Sequence, residues 1–285
     1  MTTTTSSTSI ELSPGTIHYR DLGAGEPLVF VHGLLVDGRL WQGVAERLAP
    51  THRCLVADWP MGSHRTAMNP DADLSPRGQA ALIAEFIERL ELGRVTLIGN
   101  DSGGAVSQML TAERPELVER LVLTNCDTFE NFPPFPFNAM PAIARLPGGM
   151  TALSAPFRIR AIGRAAFRPL VKRPIDAGLV DGWLAPSQAD KGVRNDARKL
   201  IAGMRKRELV EAADRLRGFE RPLRIAWAPE DGLFKYDDAK RLASMVADSR
   251  IAEVPGAGAF SPLDQPARVA ELIAEFVAEP AGATV

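Results

Sequence analysis

Short apolar runs alternate with stretches of helical periodicity along most of this chain. Residues 27–31, 54–58, 94–98, 121–125, 222–227 and 250–254 are rich in Leu, Val, Ile and Ala, the composition of strands buried on both faces. Between them, apolar positions fall at helical spacing: Leu82, Ile83, Phe86, Ile87 and Leu90, then Val106, Met109 and Leu110, then Val269, Leu272, Ile273, Phe276 and Val277. Ser75 and Pro76 offer an N-cap and a first-turn proline to the first of these helices. Residues 10–12 and 16–20, turning at Ser13-Pro14-Gly15, predict an opening hairpin. Such alternation predicts an α/β fold with a mostly parallel sheet and helices on both faces.

The alternation fails between about Asp127 and Gly218. There Phe132-Pro133-Pro134-Phe135-Pro136-Phe137 leads into Arg-rich helical segments with no strand pattern. The expected organisation is an α/β core from residues 10–130 and 218–285, a helical cap inserted at 131–217, and a disordered Thr/Ser-rich tail at 1–9. The tail lacks the basic and apolar regions of a signal peptide.

Composition narrows the classes. A chain of 285 residues, 45% hydrophobic and 24% charged, suits one soluble globular domain with an insertion. A net charge of −2 favours neither nucleic acid nor a membrane as partner. No apolar stretch approaches the roughly 18–20 residues of a membrane span. Cys54 and Cys126 sit inside strand-like runs and read as reduced core thiols, which leads us to expect a cytoplasmic protein. Charge is unevenly spread: residues 134–207 carry 14 Lys/Arg against 4 Asp/Glu. Such a basic insertion either steers an anionic substrate or presents solvated helix faces. Nothing in these patterns specifies an oligomeric state.

The chemistry centres on Gly99-Asn100-Asp101-Ser102-Gly103-Gly104, which follows a strand and precedes a helix. Strand, glycine-flanked turn, helix is the setting of a nucleophile elbow. Two places after Gly99 stands Asp101; the competing register would make Ser102 the nucleophile but would put Asn100 at a corner that needs a small residue. The stretch resembles the aspartate-nucleophile branch of the α/β-hydrolase fold, which includes haloalkane dehalogenases and epoxide hydrolases, and the resemblance extends from about residue 10 to 278.

Three further stretches extend it. His32-Gly33-Leu34-Leu35 resembles the family's oxyanion loop, which implies that the backbone N–H groups of Leu34 and Ser102 hold a developing negative oxygen. Trp227-Ala228-Pro229-Glu230-Asp231 resembles the loop of the triad acid, with Asp231 at the matching position and Asp127 as its competitor. Gly258-Ala259-Phe260 stands where the family reads Gly-His-Phe, so the base position holds Ala259. The four histidines, at positions 18, 32, 52 and 64, all precede the elbow. His32 reads as a packing residue of its loop. His64 reads either as a local structural residue or as a substitute base. Ala259 is either a His→Ala replacement in an otherwise intact hydrolase or a natural surrender of hydrolysis.

An aspartate at a helix N-terminus is expected to be ionised at neutral pH and can attack an sp³ carbon to give an alkyl ester. Water must then cleave that ester, and general-base assistance there is worth roughly 10²–10⁴ in rate. The expected protein is a hydrolase of halides or epoxides that stalls at the covalent intermediate. The alternatives are a non-hydrolytic lyase or cyclase using Asp101 as a base, and a ligand-binding protein with an inactive pocket. Trp41, Asn100, Asn125, Phe132, Phe135 and Trp183 are the candidate substrate contacts, and the substrate is expected to be a small apolar molecule. The cap lacks the tyrosines of epoxide hydrolases, and Ser102 stands where many dehalogenases place a tryptophan. No metal-ligand cluster is apparent, and the glycine turn lacks a phosphate-binding Lys, so no cofactor is expected.

Overall fold

Eight strands form one sheet in the computed structural model, which describes residues 8–279. They are β1 (Thr8–Leu12), β2 (Gly15–Leu22), β3 (Pro27–Val31), β4 (Arg53–Ala57), β5 (Val95–Asp101), β6 (Val118–Cys126), β7 (Leu223–Trp227) and β8 (Ser249–Glu253). The order is β1-β2-β4-β3-β5-β6-β7-β8. Only β2 runs against its neighbours; β4 through β8 are parallel. The expected α/β-hydrolase fold is therefore present. Residues 8 and 9, expected in the tail, instead open β1, where Thr8 pairs with Tyr19 and Ser9 with His18. Residues 1–7 of that tail lie outside the described residues.

The central strands are apolar runs because helices cover both faces of the sheet. On these faces lie α1 (Gln42–Leu48), α2 (Pro76–Arg89) and α3 (Ser102–Glu113), with others added later in the chain. Ser75 caps α2 as its sequence predicts, its hydroxyl accepting from Gly78 N–H at 3.2 Å, with Pro76 in the first turn.

Between β6 and β7 the described chain has no strand. It folds into α4 (Met140–Arg145), α5 (Gly149–Ser154), α6 (Arg160–Phe167), α7 (Ala177–Ala189), α8 (Lys191–Gly203) and α9 (Lys206–Arg215). The last of these packs along α3 with Leu209, Ala212 and Ala213 buried, so it extends the core. The chain then completes α10 (Tyr236–Ala243), α11 (Ser261–Asp264) and α12 (Pro266–Ala278). No helix among the described residues is long and apolar enough to cross a membrane.

Two buried carboxylates fasten the insertion to the core. Asp196 on α8 accepts from Met68 N–H at 2.8 Å and meets His64 Nε2 at 3.1 Å. Asp264 on α11 accepts from the backbone N–H groups of Lys172, Arg173 and Gly258 at 2.8, 2.8 and 2.9 Å. Residues 170–173 are thereby held against the loop that carries Ala259.

Candidate active site

Because β3 through β8 are parallel, the segments leaving their carboxyl ends meet along one edge of the sheet. At the centre of that edge Asp101 ends β5 and precedes α3 with φ 56° and ψ −137°. A non-glycine residue at such angles costs about 1–3 kcal/mol, and this strain turns the carboxylate out of the strand. The neighbouring glycines permit the sharp corner. A Cβ at Gly103 would strike the His32 carbonyl oxygen, and one at Gly33 would strike Asp101 Oδ2.

Above Asp101 lies a cavity of about 120 Å³. Its wall is apolar, including Leu34, Phe137, Met140, Phe167, Leu170 and Leu233. Among the described lining residues the polar ones are Asp101, Ser102 and Asp127. The insertion supplies Phe137, Met140 and Phe167, so it closes the cavity over the sheet edge.

Burial drives the electrostatics here. Loss of water raises the Asp101 carboxyl to about 7, and the Asp231 charge adds to the rise while the Ser102 N–H opposes it. The helix dipole therefore does not keep Asp101 fully ionised at neutral pH, contrary to the sequence expectation: the desolvation of a wholly buried group outweighs it. Asp127 is pushed well above the usual carboxylate range by burial and by Asp101. Its Oδ1 is buried without a hydrogen-bond partner.

The expected oxyanion groups meet in an unexpected way. Leu34 N–H donates to Ser102 Oγ at 2.8 Å, so this amide is already engaged by a side chain. With its oxygen accepting, the Ser102 hydroxyl retains a hydrogen to donate, and Ser102 lines the cavity.

Asp231 lies in the loop after β7, whose Leu233 lines the cavity, and its charge reaches Asp101. It accepts from Asn125 Nδ2 at 2.9 Å, Leu233 N–H at 2.9 Å and Phe234 N–H at 3.3 Å. Burial nonetheless raises its carboxyl, with Lys172 acting in the opposite direction. Ala259 is fully buried; its carbonyl oxygen accepts from Asn100 Nδ2 at 2.8 Å, and the next N–H, of Phe260, donates to Leu170 O at 2.9 Å.

Several residues expected to touch substrate do other work. The Asn100 amide donates to Thr124 Oγ1, Asn125 O and Ala259 O, so it binds the elbow to β6 and to the Ala259 loop. Asn125 is likewise spent on Asp231 and on both backbone groups of Ala228. Trp183 donates its Nε1–H to Asp37 at 3.0 Å and packs on Phe167 and Phe260. Trp41 is buried against Phe30, and Phe132 belongs to the core. Phe135 is 80% exposed, so it does not wall the cavity. His32 bridges its loop, Nε2 accepting from Trp59 N–H at 2.9 Å, and burial lowers its affinity for a proton. His64 is buried against Asp196 and does not line the cavity.

The sequence profile of the Alpha/beta hydrolase family matches residues 28–272, and the chain belongs to that family. Among curated relatives, it is similar to Haloalkane dehalogenase 2 of Mycobacterium tuberculosis, 29% identical over an alignment of 276 positions that covers 92% of each chain. Among solved structures, it resembles haloalkane dehalogenase DbeA from Bradyrhizobium elkani, with a TM-score of 0.80, 20% identity, and coverage of 96% of this chain and 97% of that one. An alpha/beta hydrolase fold protein from Burkholderia ambifaria is also close in structure, with a TM-score of 0.77, 23% identity, and coverage of 94% and 97%.

Proposed function

We propose that this α/β hydrolase attacks a small apolar halide or epoxide with Asp101 and passes through an alkyl ester of that side chain. The observation that carries the reading is the strained Asp101 carboxylate, set at an elbow beneath an apolar cavity. An apolar wall excludes water from the carboxylate, which strengthens it as a nucleophile toward carbon. The Ser102 hydroxyl, backed by Leu34 N–H, is the donor that meets the departing halide or oxygen. Similarity to Haloalkane dehalogenase 2 over most of both chains supports this substrate class.

In this reading Ala259 occupies the base position, and the second half-reaction proceeds without a histidine. Removing such a base slows ester cleavage by roughly 10²–10⁴, so the ester accumulates. Incubation with 1-bromohexane or styrene oxide, followed by intact-protein mass spectrometry, will show a single covalent adduct; absence of an adduct with either probe contradicts the reading.

One observation favours a second reading. A carboxyl held near pH 7 by burial also suits a proton acceptor. A lyase or cyclase using Asp101 as its base would convert substrate with no adduct and no oxygen taken from water.

A further inference from the structure

We propose that Asp127 gives a proton to the opening oxygen of an epoxide and, with either substrate, takes one from the hydrolytic water, a slower base than the histidine that position 259 lacks, so that the ester still accumulates before it is cleaved. The inference rests on the Asp101 ester reading. Asp127 directly follows β6, the neighbour of β5, and its N–H reaches Asp101 O at 3.4 Å. Both side chains line the same cavity. Asp127 is 2% exposed, and its Oδ1 has no partner, so a polar atom with unmet bonding capacity is buried at the cavity wall. None of the four histidines takes this place. His32 and His64 are buried and bonded elsewhere, while His18 and His52 are held to Thr66 and Thr51.

The charges facing Asp127 suit both roles. Asp101 lies on the adjacent strand end, Asp231 acts on Asp101 from the β7 loop, and the buried Cys126 thiol stays protonated. Two neighbouring buried carboxyls do not both ionise at neutral pH, so one keeps its proton. Burial, with the Asp101 charge adding to it, pushes the Asp127 carboxyl well above the usual carboxylate range, and it starts as the acid.

With an epoxide, Asp101 oxygen bonds to a ring carbon, the carbon–oxygen bond breaks, and the ring oxygen takes the Asp127 proton. The product is a hydroxyalkyl ester and an Asp127 carboxylate. Esterification has removed the Asp101 charge, so the repulsion that charge exerted on the Asp127 carboxylate is gone and burial alone still favours its protonated form. The carboxylate takes a proton from water while that oxygen attacks the ester carbonyl carbon. Collapse releases the diol, restores the Asp101 carboxylate and leaves Asp127 protonated. With an alkyl halide the halide leaves with its electron pair and needs no proton. Asp127 then ionises to solvent before acting as base, and that proton and the halide are the net acid released. An acid that becomes the base is the logic of retaining glycosidases, here placed on one aspartate.

The test compares the unaltered chain with Asp127→Asn and Asp127→Glu in rapid-quench assays on 1-bromohexane and styrene oxide. With the bromide, Asp127→Asn should keep the initial burst of about one bromide per chain and lose steady turnover by roughly 10²-fold or more. With the epoxide, the burst itself should slow, because the ring oxygen has lost its acid. Asp127→Glu should recover part of the steady rate. Thermal melts confirm that each variant is folded. Unchanged steady turnover in Asp127→Asn overturns the proposal, as does a bromide burst that falls in step with the steady rate. No burst in the unaltered chain on either probe would fail the Asp101 reading first, and this inference with it.

Discussion

Replacing Asp101 by Asn isolates what the buried carboxylate does to stability. The substitution is nearly isosteric, and Asn tolerates positive φ better than most residues, so the elbow backbone is retained. What disappears is the ionisation of a group raised from 3.8 to about 7 in the folded chain. A carboxyl raised on folding binds its proton more tightly in the native state, so native stability falls as pH climbs from the unfolded value to the folded one. A shift of about 3 pH units at 1.36 kcal/mol each corresponds to about 4 kcal/mol in total. About two of those units lie above pH 5, so Asp101→Asn should gain about 3 kcal/mol on the unaltered chain between pH 5 and pH 8. Urea unfolding of both proteins at the two pH values measures this gap. Parallel stabilities across that range would refute the assignment of a desolvated, proton-holding Asp101.

Two further outcomes follow from the same structure. Ala259→His should raise steady turnover by up to roughly 10²-fold beyond what Asp127 already supplies, while overpacking a fully buried site lowers stability by about 1–3 kcal/mol; a folded variant with no rate gain on either probe would show that position 259 does not address the ester. Asp196→Ala leaves the His64 ring and Met68 N–H without their buried acceptor, and urea unfolding should report a loss of about 3 kcal/mol; a loss under 1 kcal/mol would show that this fastening of the insertion is dispensable.

Much of the fold was legible because buried parallel strands write themselves as unbroken apolar runs and the helices between them keep a clear period. The elbow was legible because Gly99, Gly103 and Gly104 mark a backbone too crowded for side chains. The roles of Asn100 and Asn125 were not. Their amides are consumed by Ala259 and by Ala228 with Asp231, partners more than a hundred residues away. Phe135 and Phe137 lie two positions apart in one proline-rich run, yet only Phe137 reaches the cavity, since such a run has no period from which to read a buried face. The protonation of Asp101 is not legible for a related reason: a helix dipole can be anticipated from sequence, whereas complete desolvation depends on helices that arrive later in the chain.

The most direct measurement is a single turnover in water enriched in oxygen-18, followed by peptide mapping around the elbow. An alkyl ester cleaved at its carbonyl carbon leaves the heavy oxygen in the Asp101 carboxylate, and peptides sampled earlier carry the alkyl group on that residue. That pattern is the predicted result. Heavy oxygen found only in the released product, with Asp101 neither alkylated nor labelled, would mean that water attacks the substrate directly and would contradict the nucleophilic role of Asp101.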